Sequence, residues 1–380
     1  MVRFSAFSLS IFTQRLSLLG ISLVLCCFNV SQLHAAPTKL GAASFETYIS
    51  DDGEPARVNT LLEKVFQKAE LDIQLQVMRQ AFLGSSVLTG KLDGEFAYVN
   101  LGEDSSNYVL SDIYLPIYLY AVSKEADVEA IKLFPHLKDN RVAIENRFAN
   151  TPSFRLLKDI KWSRNPTTFD AFRQLADDRA PYLITTQLLA RELNILLAND
   201  NEETLHFSAK PLAKTGFQIA ISKNVANAER IIAQFNQAVS TMQNSGELNQ
   251  PLDLAWLTKD VNGDGVADFI GHSNITTTSD LLNTAYSLDG KPTSEASAFY
   301  IDGDRYASLE EARAALPDAG GAVPGHRELQ DVRSGGAAYR RRARIGDRAD
   351  VDKPETRGFR EVAHGLCERL CDHPVRDGVW

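Results

Sequence analysis

Residues Gly90 to Lys124 read GKLDGEFAYVNLGEDSSNYVLSDIYLPIYLYAVSK, and their order says more about the fold than any other stretch. A turn at Gly90-Lys91-Leu92-Asp93-Gly94 leads into an apolar strand, Phe96 to Val99. A polar loop follows, and then a second extended, aromatic-rich run that ends at Val122.

Upstream, Ala43 to Tyr48 reads as a strand end before the turn Asp51-Asp52-Gly53. Val58, Leu61, Leu62, Val65, Phe66 and Ala69 then recur at helical spacing, which predicts one buried helix face. Ile73, Leu75 and Val77 alternate with Asp72, Gln74 and Gln76, the period of a strand with one polar face. Strand, helix and strand in this order predict a parallel βαβ unit.

Downstream, Arg141-Val142-Ala143-Ile144 opens a second α/β unit. Asn150-Thr151-Pro152-Ser153 follows as a helix start with proline in its first turn. Tyr182 to Ile184 and Phe217 to Ser222 are further strands. The latter leads into a helix with Ala228, Ile231, Ile232, Phe235, Val239 and Met242 on one face, stopped by Gly246.

This layout resembles the bacterial extracellular solute-binding proteins of family 3, over about Lys39 to Gln250. The resemblance rests on element order and on four short signatures: Gly90-Lys91-Leu92-Asp93, Ser111-Asp112-Ile113-Tyr114, Lys210-Pro211-Leu212 and Phe235-Asn236-Gln237-Ala238-Val239. It implies an α/β, two-lobed periplasmic-binding-protein type 2 fold with the second lobe inserted in the first and a small α+β C-terminal extension. Ile113–Ser123 and Phe217–Ser222 would be the crossing segments. The boundaries so implied are lobe 1 at 36–118 and 219–252, lobe 2 at 119–218, and the extension at 253–317.

In such binders a solute lies between the lobes and closure about the hinge buries it. The resemblance carries this cleft onto Phe45 and Tyr48, Glu103, Asp104, Ser105 and Ser106, Thr151 and Ser153, and Thr185 and Thr186. Free amides at the helix start after Thr151 suit an anionic group. Amino-acid binders of the family usually place an arginine about seven residues before the Ser-Asp signature, to hold a carboxylate bidentately. Here that neighbourhood reads Gly102-Glu103-Asp104-Ser105, and Thr185 stands near the usual second-lobe aspartate. The reversed charge points away from an ordinary amino acid, toward a cationic solute or a lobe pair kept for protein recognition.

Arg3 and Arg15 precede an apolar stretch from Leu16 to Phe28, and no acidic residue occurs before Glu46. Residues 1–35 are therefore expected to be a secretory signal, with cleavage after Ala35 and a periplasmic destination. No later run has the length of a membrane span, so no membrane insertion is expected after cleavage. Between Pro37 and Gly320 stand 39 Asp and Glu against 26 Lys and Arg, a balance that argues against a nucleic-acid partner. No cysteine occurs from Ala36 to Ala319, which excludes disulfides and thiol catalysis there.

The extension contains Asp260-Val261-Asn262-Gly263-Asp264-Gly265-Val266-Ala267-Asp268, with oxygen-bearing side chains at alternate positions and glycine where the loop turns. That is the chemistry of a calcium loop, since the ion takes roughly 6 to 8 oxygen ligands. Gly271 stands where an EF-hand would have its bidentate glutamate, so the loop more closely resembles the Asp-rich loops of dockerin-like and integrin-like repeats. Asp260, Asn262, Asp264 and Asp268 are the candidate ligands of a structural Ca2+. Beyond them, Phe299 to Tyr306 reads as a hairpin around Asp302-Gly303, and Ser308 with Glu311 as a capping box. From Gly320 the chain carries 11 Arg and one Lys, and 318–380 is read as a disordered or non-native tail.

No catalytic motif stands out. His136, His206 and His272 are scattered, and phosphate-cradling glycine loops are absent. The expectation is a non-enzymatic periplasmic protein that captures a small polar solute for an ABC-type importer or a membrane sensor. The alternatives are a protein-recognition or structural module on a degenerate binding fold, and a dehydratase-like enzyme using Glu103, Asp104 or Glu145.

Overall fold

The structure is a computed structural model that describes residues 36–50, 56–274, 282 and 285–316. The export segment 1–35, its cleavage site after Ala35, and the tail 318–380 lie outside the described residues, apart from Ala36 itself.

The βαβ unit forms as its periodicities require. Thr38–Ala43 (β1) pairs in parallel with Ile73–Met78 (β2), in register from Thr38 opposite Ile73 to Ala43 opposite Met78. The connecting helix Arg57–Lys68 (α1) buries Val58, Leu61, Leu62, Val65 and Phe66. A helix absent from the sequence reading, Gln80–Leu88 (α2), then leads to Gly94–Val99 (β3), parallel to β1 on its other side. Tyr108–Leu110 (β4) follows.

Two long antiparallel strands join the halves of the molecule: Leu115–Ser123 (β5) and Ala213–Ser222 (β10). The last residues of β10 pair with β3 and β4, its first residues with β5, and the far end of β5 with Tyr182–Thr186 (β8). The chain thus leaves the first lobe along β5 and returns along β10. Glycine is needed at Gly94, where a Cβ would stand 2.0 Å from the carbonyl oxygen of Ala220 in β10.

In the second lobe Arg141–Glu145 (β6) pairs in parallel with both Lys161–Asn165 (β7) and β8. Asn146–Ala149 (α3) and Pro152–Arg155 (α4) are single turns after β6, so the helix start seen at Thr151 makes only a short element. Thr168–Ala176 (α5) and Gln187–Asn199 (α6) flank β8. His206–Phe207 (β9) pairs with β5. The sheet order is β2-β1-β3-β10-β5-β8-β6-β7. Ala228–Asn244 (α7) returns to the first lobe, setting Phe235 5.8 Å from Phe66 of α1.

The extension is a five-stranded sheet of its own. It comprises Leu257–Lys259 (β11), Asp268–Gly271 (β12), Tyr286–Ser287 (β13), Phe299–Ile301 (β14) and Asp304–Tyr306 (β15), followed by Leu309–Ala314 (α8). The expected hairpin and capped helix are present, and Ser308 accepts from the Glu311 amide at 3.2 Å. They are not a free-standing element, because β14 pairs in parallel with β12 and Phe299 stacks on Phe269 at 4.9 Å, beside buried Trp256. Among the described residues no helix is long and apolar enough to cross a membrane.

Candidate functional site

Strands β1, β6 and β8 end at the seam between the lobes, the edge where open α/β sheets place their ligands. Beyond β1 the chain makes a tight loop in which Phe45 and Ile49 exchange backbone hydrogen bonds at 3.0 and 2.7 Å, with Thr47 at φ 61. This loop aims Phe45 and Tyr48 into the seam. The two rings stack at 4.9 Å, and both meet Phe217 of β10 edge-on, at 6.0 and 5.8 Å. Both are fully buried, so they form an aromatic floor of the core.

The Tyr48 phenol donates to Thr186 Oγ1 at 3.1 Å, and the same Thr186 oxygen caps α6 by accepting from the Leu189 amide at 3.3 Å. Burial raises the phenol far above its ordinary range, so it stays protonated and donates. Thr185 is equally buried, opposite Tyr120 in the β5–β8 pairing.

Above this floor lies a polar cluster drawn from both lobes. Arg147 of α3 holds its guanidinium 4.2 Å over the Phe45 ring, donates from Nη2 to the Ser44 carbonyl at 2.6 Å, and pairs through Nε with Glu145 Oε1 at 3.1 Å. Glu145 Oε2 accepts from the Thr168 hydroxyl at 2.7 Å. Glu46, from the first-lobe loop, accepts from the Thr168 amide at 3.2 Å, at the amino end of α5. Burial, reinforced by the nearby Glu145 charge, pushes the Glu46 carboxyl up to about 7. Farther along the seam, Arg57 of α1 and Glu192 of α6 form an ion pair.

The residues at the other mouth of the expected cleft are placed differently. Glu103 Oε2 accepts from the Leu101 amide at 2.7 Å and Asp104 Oδ1 from the Ser106 amide at 2.9 Å, so both carboxylates serve their own loop. Ser106 hydrogen bonds hold the exposed Asp104 carboxyl below its ordinary range. Ser105 closes the same loop by accepting from the Tyr108 amide at 3.0 Å. The expected partners do meet there: the Ser153 amide donates to the Leu101 carbonyl at 3.0 Å. The Ser153 amide, one of those at the helix start, thereby donates to the first lobe, and the Thr151 hydroxyl turns back onto the Phe148 carbonyl at 2.7 Å.

Glu46 and Arg147 are the site residues that sequence reasoning passed over. Glu46 lies between two aromatics already assigned to the cleft, and Arg147 follows Glu145 by two residues at a strand end. Both positions were signals.

In the Asp-rich loop, Asp260 Oδ1 accepts from the amides of Gly263 (2.7 Å) and Asp264 (3.1 Å), and Oδ2 from Gly265 (2.9 Å). Asn262 Oδ1 accepts from the Asp264 amide, and Asp264 Oδ1 from the Val266 amide. These bonds hold the side-chain oxygens of Asp260, Asn262 and Asp264 on the loop's own amides, and among the described residues no three carboxylate, histidine or cysteine side chains converge as a metal site would require. Lys291 forms an ion pair with Asp260 and holds that carboxyl below its ordinary range. Asp268 is buried and turned inward, where its oxygens accept from the Ala298 and Val261 amides at 2.8 and 3.3 Å.

No family model matches the chain, and no curated protein matches its sequence. Solved structures similar to it include a mutant of ArgBP from T. maritima, at 19% identity and TM-score 0.45, covering 57% of this chain and 93% of that one. AbpA from Streptococcus pneumoniae, an amino acid ABC transporter substrate-binding protein bound to L-arginine, is similar at 16% identity and TM-score 0.45, over 57% and 93%. The GluR0 ligand-binding core complexed with L-glutamate is similar at 10% identity and TM-score 0.47, over 58% and 98%. The strand order and the two shared strands define the fold as α/β and two-lobed, with the second lobe inserted in the first and a C-terminal extension.

Proposed function

We propose that this chain is an exported solute-binding protein that takes a small polar ligand between its lobes, for an ABC-type importer or a membrane sensor, and binds without catalysing. The observation that carries this reading is the buried cluster of Glu46, Glu145 and Arg147 at the seam. Buried charge is costly in a core kept only for stability, and shifted carboxyls at a cleft are a mark of functional sites. Two carboxyls against one guanidinium favour a ligand carrying an amine. On opening, Glu46 leaves the Thr168 amide; an amine on the ligand then meets Glu46 and Glu145, while an acceptor on the ligand takes the amide.

A second reading is a protein-recognition module on a retired binding fold. It draws support from Phe45, Tyr48 and Phe217, which fill the space beneath the cluster with the protein's own rings. We further propose that the Asp260–Asp264 loop takes a structural calcium ion, with Asp268 supporting the loop from inside.

The test is thermal unfolding of the full-length protein and its Glu145→Gln variant against amino acids, amines, sugars and organic acids, with calcium or chelator. Ligand at about 100 times its dissociation constant stabilises a binder by ~2.7 kcal/mol. Stabilisation by an amine-bearing solute, lost in Glu145→Gln, supports the first reading. A response to calcium alone moves the assignment to the second.

A further inference from the structure

We propose that the junction between the extension and the hinge strands is a second ligand site, for a small monoanion with a compact apolar body, such as an aromatic carboxylate. A cavity of about 350 Å3 lies there, within the size range of small-molecule sites. One wall is the hinge itself, Pro116 and Tyr118 of β5 with Lys214 of β10. The other belongs to the extension, Lys259 of β11 with Leu288 and Asp289 after β13.

The charges set the ligand class. Lys214 Nζ hangs 5.7 Å from the centroid of the Tyr118 ring, and Lys259 Nζ reaches only the Gln243 side-chain oxygen, at 3.5 Å. Among the described residues neither ammonium has a carboxylate within ion-pair distance. Asp289 also lines the cavity, but its two oxygens already accept from the Asp260 and Lys291 amides at 2.9 and 3.1 Å. Two lysines facing one committed carboxylate leave a single positive charge to neutralise. Pro116 and Leu288 offer an apolar surface, and Ile113 adds a partly exposed aliphatic side chain at the rim.

The local backbone is shaped to keep this space. Gly290 lies at φ +69, and a Cβ there would stand 2.8 Å from Lys214 Nζ and 3.2 Å from the Tyr118 ring. The Tyr286 phenol also donates to the Pro116 carbonyl, fixing the extension onto β5. A ligand bridging Lys214 and Lys259 would tie the extension to the return strand of the hinge. This site shares no residue with the Glu46–Glu145–Arg147 cluster.

The experiment is calorimetric and saturation-transfer NMR titration of the full-length protein with benzoate, benzylamine and sulfate. It covers wild type, Lys214→Gln, Lys259→Gln and Glu145→Gln, with thermal unfolding to show that each variant folds. Saturable benzoate binding is expected, with none for benzylamine. Each lysine variant should weaken it by about tenfold, the worth of one charge-assisted contact, while Glu145→Gln leaves it unchanged. The proposal is overturned if benzoate fails to bind saturably, if benzylamine binds as well, if sulfate alone binds, or if the loss appears in Glu145→Gln and in neither lysine variant.

Discussion

Tyr48 and Thr186 close the seam between the lobes with one buried hydrogen bond, 3.1 Å from phenol to hydroxyl, contributed by a loop and a strand end 138 residues apart in the chain. The bond does two things: it satisfies a fully buried phenol, and it fixes the oxygen that caps α6. Tyr48→Phe keeps the ring stack and deletes only this bond, so a loss of about 1 kcal/mol is expected. Thr186→Ala loses the bond and the cap together and should cost about 2 kcal/mol. Chemical denaturation of the two variants checks the order. Equal stability of both with wild type would show that the seam does not depend on this bond.

Glu46 gives the fold a pH dependence of definite sign. Its carboxyl ionises near 7 when folded against an ordinary 4.5, because of burial and of Glu145 facing it, opposed by Arg147. The folded state therefore holds the extra proton between those values. The stability so contributed is full below pH 4.5 and is lost as pH rises through 7. The loss for this residue is up to about 3 kcal/mol. Glu95 of β3, raised to about 7 by burial, adds to the same slope. Glu46→Gln should match wild type below pH 4.5 and exceed it above pH 7, as read by denaturant midpoints across that range. Parallel curves for the two proteins would contradict the assignment.

The sequence made the first lobe legible because α1 and β2 each bury a single face, and their periods of 3.6 and 2 are clean. Strand β7 was not legible, since Lys161-Trp162-Ser163-Arg164-Asn165 has neither alternation nor an apolar run and pairs only at the sheet edge. Helix α6 was lost for a similar reason: Leu188, Leu189, Leu193, Leu196 and Leu197 spread round it more widely than one stripe. The site was legible to the level of the loop. Phe45 and Tyr48 were assigned to the seam, but whether they line a cleft or fill it depends on Phe217 and Phe148, distant in sequence. Glu46 carries no site assignment in the sequence, because the burial that raises its carboxyl is a tertiary property.

Lys291 and calcium compete for Asp260 in the proposed ion loop. The ammonium pairs with the carboxylate that the ion needs, so Lys291→Ala should bind calcium more tightly than wild type. Asp264→Ala should bind it more weakly, having lost a donor and the bond to the Val266 amide. Calorimetric titration of the three proteins, stripped with chelator, checks both directions. Equal uptake by all three would remove calcium from this loop.

Arg147 and Glu145 carry the largest expected effect, because each is nearly buried and each is the other's counter-charge, with side-chain exposures of 12% and 6%. Arg147→Met keeps bulk over Phe45 but leaves Glu145 without its cation, and a loss of about 3 to 5 kcal/mol is expected. Glu145→Gln still accepts from Thr168 and still faces Arg147, which retains the Ser44 carbonyl, so it should cost less. In the double variant no buried charge stands unpaired, and part of the Arg147→Met loss should return. A double-mutant cycle measures that coupling. Coupling near zero would mean that the two charges are solvated independently, which would also weaken the case for a ligand amine between Glu46 and Glu145.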